Sequence, residues 1–178
     1  MAVVVGTAVQ NISFTQTVSS GLINPYSIVP AIAAPGVPGA SINYANGTAA
    51  GLVDLLYEKQ FSLASTTTTL DLTSLTDAGG GAIVFARIRE LIVYVYDASA
   101  AHLIKVYAGA SNGITWVPPV ANYLQVAGNG GSLRLSDPQT VGSSLGYYVD
   151  GTHKNLVFDS VANTVTFYVL IAGCSAQS

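Results

Sequence analysis

Apolar and polar residues alternate along much of this chain with the period of a β-strand. The clearest case is Thr164-Val165-Thr166-Phe167-Tyr168-Val169-Leu170-Ile171, where Val165, Phe167, Val169 and Ile171 fall on one face. This pattern predicts a core strand, stopped by Gly173. The same reading places short strands at residues 61–64, 67–72, 83–96, 102–107, 114–117, 123–126, 132–135, 145–149 and 155–158, of which 83–96 is the longest apolar run. Turn chemistry separates them: Asp77-Ala78-Gly79-Gly80-Gly81, Ser111-Asn112-Gly113, Gly128-Asn129-Gly130-Gly131 and Asp150-Gly151. Strands this short and this regularly punctuated predict an all-β domain over residues 54–178, a single antiparallel β-sandwich that is jelly-roll-like. Residues 49–57, with Leu52, Val53, Leu55 and Leu56 close together, are the one stretch that reads as a helical turn.

The pattern changes ahead of residue 54. Residues 3–18 alternate, and a Pro/Gly-rich stretch follows, Asn24-Pro25-Tyr26-Ser27-Ile28-Val29-Pro30 and then Ala34-Pro35-Gly36-Val37-Pro38-Gly39. Prolines at that density forbid a helix and favour an extended path. Residues 1–53 therefore read as an extended assembly arm, with Tyr26, Ile28, Val29 and Ile32 as apolar anchors.

Charge sharpens the division. All 15 formal charges lie between Asp54 and Asp159, so residues 1–53 carry none. Segments that stay solvated are normally polar and charged. Ordering a segment costs about 1–2 kcal/mol per residue in backbone entropy, so an uncharged apolar arm needs a large surface to bury against. Charged residues are 8% of the chain and apolar residues 50%, against roughly 25% charged in ordinary soluble domains. A surface so poor in charge favours cover by neighbouring subunits, and a homo-oligomer, a trimer by preference, is expected.

Several partner classes are disfavoured. The net charge is −3, and Lys59, Arg87, Arg89, Lys105, Arg134 and Lys154 are scattered, whereas nucleic acid requires a dense basic face. The opening Met1-Ala2-Val3-Val4-Val5-Gly6 lacks a basic region, and polar residues interrupt it before it reaches the length of a signal or membrane helix. The single Cys174 precludes an intrachain disulfide. Asn11-Ile12-Ser13 and Asn46-Gly47-Thr48 match the glycosylation pattern and are read as chance matches.

From residue 54 onward the order of motifs is also familiar. Asp54-Leu55-Leu56-Tyr57, Leu70-Asp71-Leu72, Leu75-Thr76-Asp77, a glycine pair, Val84-Phe85-Ala86-Arg87-Ile88-Arg89, Asn155-Leu156-Val157-Phe158 and the stretch 164–173 together resemble small virion structural proteins of tailed bacteriophages. The resemblance spans residues 54–173, and its motifs are structural rather than catalytic. It implies a virion component with a β-sandwich fold. Combined with the arm, it leads to the expectation of a capsid decoration or cement protein on the capsid surface, assembled in the host cytoplasm. Its expected partners are the major capsid protein or other virion subunits. A head-fibre, tail or capsid-shell subunit is the alternative within that class, and a host-glycan-binding module the alternative outside it.

No chemistry of the catalytic kind emerges. Gly109-Ala110-Ser111-Asn112-Gly113 matches the nucleophile-elbow string, but Ile114-Thr115-Trp116-Val117-Pro118-Pro119 follows where a helix is required, so a turn is expected. His102 and His153 are the only histidines, and nothing in their spacing assembles a triad. Asp71, Asp77, Asp150 and Asp159 lack the spacing of a cation loop and read as turn and cap residues. The expectation is a non-enzyme without cofactor or metal. Arg87 and Arg89 interrupt an apolar run and alternate onto one face with Glu90 on the other, which suits an outer face or pairing with a neighbouring subunit's carboxylate. Tyr94, Tyr96, Tyr107, Trp116, Tyr123, Tyr147 and Tyr148 would suit sugar stacking if the fold gathers them on one loop face.

Overall fold

Strands of alternating β-branched and aromatic residues pair between Leu55 and Cys174, and among the described residues the result is a jelly-roll sandwich. The computed structural model describes residues 9–10, 34–35, 52–77, 80–137 and 146–176. Eight strands carry the fold: β1 (Leu55–Ala64), β2 (Thr67–Asp71), β3 (Arg87–Val95), β4 (Leu103–Ala108), β5 (Leu124–Ala127), β6 (Ser132–Ser136), β7 (Asn155–Asp159) and β8 (Thr164–Cys174). One sheet has the order β6-β3-β8-β1 and the other β2-β7-β4-β5, with every neighbouring pair antiparallel. Apart from β4 and β5, which pair within one sheet, successive strands thus pass between the sheets in the interleaved double Greek-key order of a jelly roll. Two minor pairings supplement them: Tyr147–Tyr148 adds to β3, and Leu75–Thr76 pairs with Ala82–Ile83.

The core fills the space between the sheets. Leu91, Val93, Val95, Val165, Phe167, Val169 and Ile171 from one sheet meet Leu70, Ile104, Val106, Val126, Leu156 and Phe158 from the other. Three phenylalanines stitch the layers, with Phe167 5.3 Å from both Phe61 and Phe158 between ring centroids. The alternation read at 164–171 is borne out in this face. Leu56, Ile92, Leu170 and Ala172 lie on the opposite face of the same sheet and are buried as well. The second half of β8 is therefore apolar on both sides.

Three local expectations need correction. Gly173 does not stop β8, which continues to Cys174; a Cβ at Gly173 would sit 2.1 Å from the Arg87 carbonyl oxygen, so the missing side chain admits the neighbouring backbone. Residues 52–57 form no helical turn, because Leu55, Leu56 and Tyr57 pair with Gly173, Ala172 and Ile171. Residues 114–117 are not a strand: they are irregular, and the next element is a 3-10 turn at Val120–Asn122. In the first two cases non-local pairing outweighs a weak local preference.

The chain divides into two compact units, Met1–Asn43 and Tyr44–Ser178. In the first, Val9–Gln10 pairs antiparallel with Ala34–Pro35. The arm anchors Tyr26, Ile28, Val29 and Ile32 lie outside the described residues.

Candidate functional site

The two arginines of the apolar run sit at a break in the sheet. Between Ala172↔Glu90 and Gly173↔Ile88 the β3–β8 register shifts, and Arg89 is the additional residue on β3. A bulge of this kind resets the alternation. Ile88 and Leu91, three positions apart, both reach the core, while Glu90 lies opposite Ala172 on the other face. The simple alternation expected for Arg87, Arg89 and Glu90 is thereby overridden.

Arg89 is fully buried, and its partner lies within the chain: Nη1 stands 3.7 Å from Asp137 Oδ2. Asp137 also accepts a hydrogen bond from the Gly146 amide at 2.5 Å. Glu90, equally buried, receives a forked contact from Arg134, with Nη2 donating to Oε2 at 3.3 Å and Nε donating to Oε1. Arg134 lies opposite Ile92 on β6, so it approaches Glu90 diagonally across the sheet. The two pairs fasten β6 and the chain beyond it to β3. Their chemistry is structural, since each buried charge is matched by an opposite one.

A second assembly, of aromatic side chains, surrounds Tyr147–Tyr148. Tyr147 lies opposite Ile88 and Tyr148 opposite Arg87, so their rings leave opposite faces of the strand. The Trp116 ring stacks on Tyr147 at 4.8 Å, and its Nε1 donates to the Tyr148 carbonyl at 3.2 Å. Tyr147 donates its hydroxyl to the Ser136 carbonyl at 3.3 Å. Burial, with the nearby carboxylates of Asp137 and Glu90, pushes its phenol up. Tyr148 is exposed, with the Arg87 guanidinium 5.6 Å and the His153 ring 6.5 Å from its ring centroid.

Asp150 fixes that histidine. Its carboxylate accepts from the Thr152 amide at 2.6 Å and the His153 amide at 2.7 Å, and stands 3.1 Å from His153 Nδ1. Desolvation works to raise the Asp150 pKa, but these hydrogen bonds outweigh it and hold the carboxyl well below its ordinary range.

The remaining candidates disperse. Of the seven aromatics singled out in the sequence, Trp116, Tyr147 and Tyr148 come together. Tyr123 lies under Lys105 Nζ at 4.1 Å, Tyr94 faces Tyr168 and Ser132 across the sheet, and Tyr96 stands exposed beyond the end of β3. His102 Nδ1 is 2.9 Å from Asp97 Oδ1, far in sequence from His153. Asp71 accepts from Thr73 and from Lys154 Nζ, the latter at 2.5 Å. Desolvation raises its pKa less than these donors lower it, and the net direction is down. Residues 109–113 form a turn whose Gly113 bridges Asn155. Among the described residues no three His, Cys, Asp or Glu side chains stand together as metal ligands.

No family model, curated protein or solved structure matches the chain.

Proposed function

We propose that this protein is a structural subunit of a bacteriophage virion, a decoration or cement protein that binds the capsid surface and stabilises the shell through contacts between subunits. One observation carries the reading: residues 1–53 hold no formal charge, while every charge of the chain lies on the body that follows. An uncharged segment gains stability by burial in a neighbour, and salt does not screen that burial. The jelly roll recurs in viral capsid domains, an analogy of fold that agrees with the reading.

The mechanism is mechanical. Asp54, the first charged residue, is held to the last strand: its amide donates to the Gly173 carbonyl at 3.1 Å, and its carboxylate accepts from Ser175 N and Oγ at 2.9 and 2.6 Å. Tension on the preceding segment would thus pass into β8, one of the two inner strands of its sheet. Anchors such as Tyr26, Ile28, Val29 and Ile32 contribute about 1.5–3 kcal/mol each when fully buried. Symmetry then multiplies contacts into avidity.

The test is composition. Quantitative mass spectrometry of purified particles of the encoding phage should find the chain at a copy number comparable to that of the major shell protein. Its absence from washed particles would overturn the proposal.

A further inference from the structure

Charge is sorted between the two ends of the sandwich. At one end residues 65–66, 96–102, 128–131 and 160–163 join β1 to β2, β3 to β4, β5 to β6 and β7 to β8. Asp97 is the only Asp, Glu, Lys or Arg in these four connections, and its carboxylate stands 2.9 Å from His102 Nδ1 and accepts from the Ser99 amide at 2.9 Å. Asp54, Asp77, Asp137, Asp150 and Lys154 all belong to the opposite end.

Two apolar side chains stand out from the end that is poor in charge. Tyr96 is 67% exposed and Val161 45% exposed. The sheet brings them to the same end: Tyr96 follows Val95, which pairs with Phe167, and Val161 lies just ahead of Thr164, where β8 begins.

Val161 is held there against its own preference. Its φ is +58°, in the left-handed region, where a branched Cβ crowds the backbone. The chain enforces this conformation from both sides. The Val161 amide donates to Asp159 Oδ1 at 2.7 Å, and the Ala162 amide donates to the Ser160 carbonyl at 2.7 Å, which closes a three-residue turn around the valine. Glycine would adopt that backbone without the steric cost. The valine side chain lies outside the core, so core packing does not offset its strain. Strained residues of this kind recur at binding sites, where the strain serves to present a group.

We infer that this end of the sandwich is the surface through which copies of the chain associate, with Tyr96 and Val161 as its apolar centre. Charge selects the partner. Around a symmetry axis each copy meets an identical surface, so a cluster of one sign would repel itself, whereas an end whose single carboxylate is already engaged carries no such penalty. The Tyr96 hydroxyl both donates and accepts, so one group serves on either copy. A strongly charged partner finds its complement at the opposite end instead.

The inference goes beyond the attachment role and does not rest on it. Asp54, where residues 1–53 join the body, lies at the other end, and self-association is measured on the isolated full chain without particles.

Sedimentation velocity on the full chain, from low to high micromolar concentration, should show a concentration-dependent rise above the monomer. Tyr96→Glu should weaken the association about tenfold or more, while Val120→Glu, the same charge at an exposed valine of the opposite end, should leave it unchanged. Val161→Gly provides the sharper readout. It should raise the thermal midpoint of the diluted chain, because the strain is relieved, and weaken association at the same time. A full chain that stays monomeric throughout overturns the inference, as does association in Tyr96→Glu or Val161→Gly equal to that of the parent. Equal weakening by Val120→Glu overturns it too, and so does a lowered midpoint in Val161→Gly, which would make the valine a folding requirement. Loss of particle binding in Val161→Gly with self-association unchanged would assign this end to the shell and overturn it likewise.

Discussion

Arg89 Nη1 lies 3.7 Å from Asp137 Oδ2, and the arginine is wholly buried at the bulge of β3. A buried ion pair adds little against a well-packed apolar pair, but removing one partner strands the other charge. Asp137→Ala should therefore cost about 3–5 kcal/mol of folding stability, and Arg89→Met, which leaves the partly exposed carboxylate able to reach water, should cost less. Urea denaturation of the two variants checks the order. Equal stability of Asp137→Ala and the parent chain would refute the assignment of this pair as a structural lock.

The bulge is also a steric requirement. At Gly173 an added Cβ would meet the Arg87 carbonyl oxygen at 2.1 Å and the Phe85 ring at 2.9 Å. Backbone cannot yield as a flexible side chain can, and overpacking costs about 1–3 kcal/mol or more. Gly173→Ala should lower the thermal midpoint clearly, whereas Gly151→Ala, where nothing stands within 4 Å, should change it little. Calorimetry on the pair provides the comparison.

Alkaline pH probes the core from another side. Burial pushes the Tyr57 phenol up from 10.0 to about 12, because desolvation disfavours the phenolate. Its folded pKa is raised, so its contribution is fully present below about pH 10 and is lost as the pH rises through 10 towards 12. The linkage amounts to about 2–3 kcal/mol. Denaturation midpoints should be flat to about pH 9 and fall above pH 10, with Tyr57→Phe reducing the fall.

What the sequence disclosed follows the range of the interactions. Strict alternation in Val165, Phe167, Val169 and Ile171 identified the core strand, because a period of two depends only on local geometry. The turns at residues 109–113 and 128–131 were equally legible, since glycine and asparagine favour such backbone locally. The bulge at Arg89 was not legible: it arises where β8 passes Ile88 and Glu90, and no residue of β3 announces it. Leu55–Tyr57 looked helical until Gly173, Ala172 and Ile171 supplied their partners. The aromatic edge shows the same limit. Trp116 and Tyr147 stand 31 positions apart in the chain and 4.8 Å apart in space, and only the topology brings them together.

Self-association is the next expectation. Val84, Tyr96, Val120 and Val161 are exposed, on a chain with 8% charged residues and no disulfide partner for Cys174. Sedimentation velocity should show a species larger than one chain, with a trimer favoured by the three-fold positions of icosahedral shells. A stable monomer at high concentration that particles also fail to take up would rule this out.

The central claim is that the uncharged segment attaches the protein to the shell. Undecorated particles are incubated with the full chain and with a chain beginning at Asp54, at low salt and at about 1 M sodium chloride, where the Debye length falls to about 3 Å. The bound protein is then counted after sedimentation, with circular dichroism confirming that both chains keep their strand structure. The account predicts that the full chain binds at both salt concentrations and that the shortened chain loses most of its attachment. Equal decoration by the two chains, or release of the full chain by salt, would contradict it.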